Sequence, residues 1–279
     1  MAESPQPSPG AIRRVIATLI LGLAAASAQA TVVAFDMVDS ASRNLIGFTN
    51  SWTDAFSSAE DGFQRYRRGV SASTPATLLD DSLSSSDSLG VIGEDNTDTF
   101  FGVVDTVNAD NQTPVSAAWV FDIGGFSDLS LAIDMGAMGD FESSDTFSWS
   151  YAIDAGPSIV LFESLVDQAL AATYTLASGM TVLLNDPMQM GGITLTNQLQ
   201  TFSAAVAGIG SVLVLTLTAN TDGGSEAFAF QNLIIEGTAA GGSVPIPEPS
   251  ALTLLGLGLL GMSIVLFRRR NRRFRRKMG

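Results

Sequence analysis

Apolar and polar side chains alternate through a series of short stretches, and a period of two fits a strand with one buried face rather than a helix. In WVFDI, Trp119, Phe121 and Ile123 share a face; in LSLAI, Leu129, Leu131 and Ile133 do. FSWSY sets Phe147, Trp149 and Tyr151 opposite Ser148 and Ser150. VLVLTLTA sets Leu213, Leu215 and Leu217 opposite Val214, Thr216 and Thr218, and EAFAF ends the series with Phe228 and Phe230. Turn formers separate these stretches: Gly124-Gly125, Gly139-Asp140, Asp154-Ala155-Gly156 and Asp222-Gly223-Gly224. Many short strands punctuated this way predict an all-β chain, an antiparallel β-sandwich over residues 31–240. The stretch before Gly90 is less regular. TVVAFDMV reads as a first strand, SSAEDGFQRYRRG as a short helix or irregular loop, and TLASGMTVLLNDPMQMGG as a hairpin with a long excursion.

Composition removes whole classes of chemistry. The chain has no Cys and no His. Disulfide stapling, thiol catalysis, Ser-His-Asp catalysis and the usual zinc sites are excluded. Charge is segregated. Residues 31–243 hold four basic residues (Arg43, Arg65, Arg67, Arg68) and 26 of the 28 acidic ones, a balance of 4 − 26 = −22. Such a body repels nucleic acid and anionic lipid, so no nucleic-acid partner is expected.

The two ends read as addresses. Arg13 and Arg14 precede an apolar run from Val15 to Ala26, and Ala28-Gln29-Ala30 supplies small residues where a signal peptidase reads. Residues 1–30 are therefore expected to be a signal peptide with a helical apolar region, cleaved after Ala30. At the other end, a Gly/Pro linker (241–250) leads into an uncharged run, Ala251 to Phe267. As a helix its 17 residues span about 25 Å, the short end of what crosses a bilayer core of about 30 Å. The basic segment 268–279 follows, with Arg268, Arg269, Arg270, Arg272 and Arg273 leading it. Clustered arginine stays cytoplasmic, which fixes orientation and predicts export of residues 31–250 from an inner-membrane precursor.

The order of these parts, Pro247-Glu248-Pro249 with Ser250 behind, then apolar run, then arginines, resembles the PEP-CTERM sorting signal of exopolysaccharide-producing Gram-negative bacteria. The resemblance covers residues 244–279 and implies recognition by a membrane exosortase and delivery to the cell surface or beyond. NTDGGSEAFAFQNLIIEG also resembles the last strand of jelly-roll domains found in such proteins, and FFGVVDTVNADN and DMGAMGDFESSDTFSWSYAIDAG fit the same kind of domain. That resemblance implies a jelly-roll-like sandwich. Asp is frequent in those domains where Gln231 stands here, a departure that weakens the case for a metal at that position.

No cofactor is expected, and calcium is the one candidate for an exception. It takes six to eight oxygen ligands, and an export compartment supplies it. Three acidic loops offer such oxygens: Asp95, Asn96 and Asp98; Asp140, Glu142 and Asp145; and Asn220, Asp222 and Glu226, the last being the preferred set. None has EF-hand spacing, and Asp, Asn and Gly also populate turns for conformational reasons. Glycoside hydrolysis needs only two carboxylates, for which Glu142 and Glu226 are the candidates. Polysaccharide binding needs an aromatic platform and a few polar groups. Trp119 and Trp149 fall in phase with core positions, which leaves Trp52 as the exposed platform. Asn111-Gln112-Thr113 matches a glycosylation pattern by accident of composition. The expected role is a non-enzymatic surface or matrix protein that binds polysaccharide; the rivals are a carbohydrate-active enzyme and a calcium-stabilised adhesin.

Overall fold

Eighteen strands arise among the residues that the computed structural model describes, 29–82, 84 and 87–240. They are β1 (Thr31–Val38), β2 (Ala41–Arg43), β3 (Leu45–Asn50), β4 (Gly62–Arg67), β5 (Leu79–Asp80), β6 (Ile92–Gly93), β7 (Thr99–Val104), β8 (Val115–Asp122) and β9 (Phe126–Gly139). There follow β10 (Thr146–Ile153), β11 (Ile159–Val166), β12 (Ala171–Thr175), β13 (Thr181–Asn185), β14 (Met188–Met190), β15 (Ile193–Thr194), β16 (Gln200–Val206), β17 (Val212–Asn220) and β18 (Glu226–Ala239). The only helical element among them is a 3-10 turn, Ala76–Leu78. No described helix is long and apolar enough to cross a membrane. The signal segment through Ala28 and everything from residue 241 onward, including the expected membrane helix 251–267, the sorting residues Pro247 to Ser250 and the arginine cluster, lie outside the described residues.

Two seven-stranded antiparallel sheets form the sandwich. The first runs β16-β9-β18-β1-β2, with β7 also on β18 and β4 on β7. The long β18 makes this branching workable: Phe228 to Phe230 pair with β7, and Leu233 to Gly237 pair with β1 on the same edge. The second sheet runs β15-β14-β11-β10-β17-β8-β3. The excursion near residue 180 is the hairpin β12–β13, and β5–β6 is a short parallel pair.

The alternation seen in the sequence sets the interior. Trp119, Phe121, Phe147, Trp149, Leu213, Leu215 and Leu217 are fully buried from one sheet, and Phe101, Ile133, Phe228 and Phe230 from the other. Rings meet across the gap. Phe147 stacks on Phe228 at 4.1 Å, and Trp149 meets Phe230 edge-on at 4.8 Å. Such pairs add about 0.5–1.5 kcal/mol each beyond the area they bury. A second, smaller core closes the outer face of the first sheet: Tyr66, Leu78, Val91, Ile92, Phe100 and Tyr174 pack over Ala227 and Ala229. This is why EAFAF carries small alanines between its phenylalanines.

One expectation fails. SSAEDGFQRYRRG is neither helix nor loop through its second half; Gly62–Arg67 is strand β4, paired with β7. Arg65 sits at an inward position between Phe63 and Arg67, so a charge stands where alternation calls for an apolar group. Its guanidinium is met by Asp36 at 2.5 Å and lies 3.7 Å from the Phe48 ring centre. Trp119 Nε1 donates to the same Asp36 carboxylate at 2.9 Å. Asp36 thus joins β1 and β4 of one sheet to β8 of the other.

Candidate functional site: a carboxylate cluster at the sheet crossovers

Strand register places four sheet-to-sheet connections at one end of the sandwich. β3 ends beside the start of β8 (Asn50 opposite Ala117), and β4 starts beside the end of β7 (Gly62 opposite Val104). β10 starts beside the end of β17 (Thr146 opposite Asn220), and β18 starts beside the end of β9 (Glu226 opposite Gly139). The connections 51–61, 105–114, 140–145 and 221–225 therefore share that end. Polar bonds tie them together. Val107 N donates to the Thr221 carbonyl at 2.7 Å, Thr221 N to Thr106 Oγ1 at 3.1 Å, and Asn108 Nδ2 to Asp61 at 2.9 Å.

Two of the three acidic loops meet here. Glu142 and Asp145 from 140–145, Asp222 from the β17–β18 connection and Glu226 at the start of β18 each offer a carboxylate oxygen within 4.8 Å of the others. Asp145 and Glu226 are buried, at 1% and 3% exposure, while Glu142 and Asp222 face solvent. Asp145 accepts the Glu142 N–H at 2.5 Å through Oδ2, and its buried Oδ1 has no donor. Glu226 Oε2 accepts the Gly223 N–H at 3.2 Å. Gly223 leaves room for this: a Cβ there would collide with Glu226 Oε1. Burial, followed by the neighbouring Glu142 and Asp222 carboxylates, pushes Asp145 up to about 7. Burial and then the Asp145 charge push Glu226 up to about 9. Asp105, on the adjacent connection, is also raised by burial and by Asp61 and Asp222, and its Oδ1 too has no donor.

The other candidates fall elsewhere. Asn220 donates its amide to the Ser144 carbonyl at 2.9 Å, bracing the 140–145 loop. Asp95, Asn96 and Asp98 line a separate polar cavity of about 330 Å³ with Gln231, whose Oε1 accepts from Asn96 at 2.8 Å. Asn111 is buried and spends its amide on the Thr106 carbonyl at 2.6 Å. Trp119 and Trp149 are core, as their phase predicts. Trp52 is half-buried rather than fully exposed. It rests on the core and stacks on Phe56 at 5.7 Å and 15° between ring planes. The two rings line a cavity of about 210 Å³ with Asp54, Asp61 and Gln64. Asp54 and Gln64 hold each other through two hydrogen bonds, of 2.7 and 3.0 Å. Sequence reasoning did not find the convergence of Glu142 and Asp145 with Asp222 and Glu226. Each loop was visible, but only strand pairing brings them together.

Fold and site together define an antiparallel β-sandwich domain with an acidic seam at one end. Its destination comes from the tail: residues 245–270 match the PEP-CTERM protein-sorting motif. The chain carries that sorting signal, which implies processing by an exosortase-type enzyme and export to the cell surface or the extracellular space. No curated relative matches the sequence. Among solved structures, the chain is similar to the xylanase 10B modules of Clostridium thermocellum complexed with xylohexaose, at 11% identity and a TM-score of 0.31, over 74% of this chain and 28% of that one. It is likewise similar to the K3 cleaved adhesin domain of Lys-gingipain from Porphyromonas gingivalis, at 8% identity and a TM-score of 0.31, over 68% of this chain and 98% of that one. A xylan-binding domain of CBM 22 matches at 13% identity and a TM-score of 0.25, over 53% of this chain and 77% of that one. The chain spans little more than a quarter of the xylanase's length. Likenesses this distant carry no argument about ligand or activity.

Proposed function

We propose that the mature protein is a non-enzymatic component of the cell surface or extracellular matrix, a jelly-roll-type sandwich that holds a neutral polysaccharide. The carrying observation is the groove at Trp52 and Phe56. A stacked aromatic pair beside a carboxylate and an amide locked in place by each other is the chemistry that takes a sugar ring, apolar face on the aromatics and hydroxyls on the fixed polar groups. The body's charge of 4 − 26 = −22 over residues 31–243 disfavours uronate-rich polymers and selects a neutral one. In affinity electrophoresis with the host's neutral polysaccharide, Trp52→Ala is expected to weaken retardation about tenfold, equivalent to about 1.4 kcal/mol. Asp54→Ala, at an exposed position, gives a second reading that leaves the Trp52 packing intact. Wild-type retardation by both variants would remove the groove from the account.

The non-enzymatic reading rests on crowding. Glu142 and Glu226 each offer an oxygen within 4.8 Å of the other, with two more carboxylates in the same space. A glycosidase pair needs room between its carboxyls for the scissile bond or a water.

The sorting mechanism follows from the tail. The apolar run stalls in the inner membrane, the arginines fix its orientation, and the Pro-Glu-Pro segment is presented to the exosortase. Glu248→Ala, or deletion of residues 268–277, is expected to leave full-length precursor in the membrane fraction, read as intact mass. Normal maturation of both variants would overturn this mechanism.

A further inference from the structure

We infer that Glu142, Asp145, Asp222 and Glu226 hold one calcium ion that staples the two sheets at their crossover end. The inference stands apart from the polysaccharide reading and does not need it.

Four carboxylates within 4.8 Å carry more negative charge than such a space tolerates without a cation or bound protons. The two ion pairs among the described residues, Arg65–Asp36 and Arg68–Asp81, lie elsewhere. Independent of the clustering, Asp145 is 1% exposed and its Oδ1 has no donor, although a buried carboxylate oxygen ordinarily finds one. The backbone is also shaped for the acids. Gly223 has no space for a Cβ because Glu226 Oε1 occupies it, and a Cβ at Gly139 would come within 2.9 Å of Glu226 Cα. Two glycines thus allow Glu226 to lie back against the loop toward the other three carboxylates.

The donor set selects the ion. Oxygen donors alone, with no His or Cys in the chain, call for a hard cation. Four carboxylates from two adjoining chain segments suit calcium, which accepts six to eight oxygens in loose geometry. Magnesium keeps most of its waters and uses one or two carboxylates. Glu142 and Asp222 are exposed, which leaves a way in for the ion and positions for water ligands. Glu142 and Asp145 precede β10 of one sheet, while Asp222 precedes β18 of the other and Glu226 is its first residue. An ion shared by both loops therefore resists separation of the sheets. It also completes the seam only after export, where calcium reaches the level that extracellular modules require.

The test uses the protein recovered from its host's surface, stripped with EGTA and melted with CaCl2 or MgCl2. Calcium a hundredfold above its Kd is expected to raise Tm by about 5–11 °C, and magnesium by much less. Asp145→Asn keeps an acceptor for the Glu142 N–H and removes one charge. It is expected to lose the calcium response while melting no lower than wild type in EGTA. Asp222→Asn, at an exposed position, decides the matter if Asp145→Asn fails to fold, with calcium affinity down tenfold or more. An unchanged wild-type Tm in calcium, or a wild-type response from Asp222→Asn, overturns the site. An equal response to magnesium overturns the choice of ion.

Discussion

Asp36→Ala is expected to cost about 3–5 kcal/mol, the loss typical of breaking a buried ion pair by removing one partner. The substitution strands two donors. Arg65 keeps its charge against the Phe48 ring, and its Nε already lacks a partner. Trp119 Nε1 loses the acceptor it reaches at 2.9 Å, deep between the sheets. Urea denaturation should show a lower midpoint with an unchanged slope, and Tm should fall by about 6–20 °C. The double variant Asp36→Ala/Arg65→Met is expected to recover much of the loss, because the unpaired charge goes with its partner. A single-variant loss below about 1 kcal/mol would place the pair among screened surface contacts, which rarely contribute more.

The metal-free protein is expected to lose stability as pH rises from about 4 to about 9. Asp145 and Glu226 are raised in the folded state, to about 7 and about 9, mainly by burial; Glu142 and Asp222 add to both, and the Asp145 charge adds to Glu226. Their unfolded values lie near 4. Between those limits the folded chain holds protons that the unfolded chain has released, so stability is fullest below about pH 4 and drains upward. Each retained proton sets a slope of about 1.4 kcal/mol per pH unit. In EGTA, Asp145→Asn should flatten the lower part of this profile and Glu226→Gln the upper part. A metal-free protein whose stability is flat or rising from pH 5 to 8 would show that these carboxyls are ionised in the folded state at neutral pH. Calcium should flatten the wild-type profile as well, since a bound cation replaces the protons.

Much of the fold was legible because a half-buried strand writes its orientation into every second residue. Trp119, Phe147, Trp149, Leu215 and Phe230 were placed inside on phase alone, and all are fully buried. Strand β4 was missed because Arg65 occupies an inward position, and only its partner Asp36, 29 residues away, makes that tolerable. The groove was half visible: Trp52 fell outside the alternation, but its stacking on Phe56 depends on how the 51–61 connection folds back.

The sequence by itself determined the all-β class, the inward faces and the sorting tail, because each is encoded by neighbours along the chain: alternation, turn residues, and Pro-Glu-Pro ahead of an apolar run and arginines. Only the tertiary structure decided which acids share a space. Asp145 and Glu226 are 81 positions apart in the chain. They meet because β10 lies beside β17 in one sheet and β18 beside β9 in the other. Pairing between distant strands is settled by the packing of whole sheets, and no local pattern carries it.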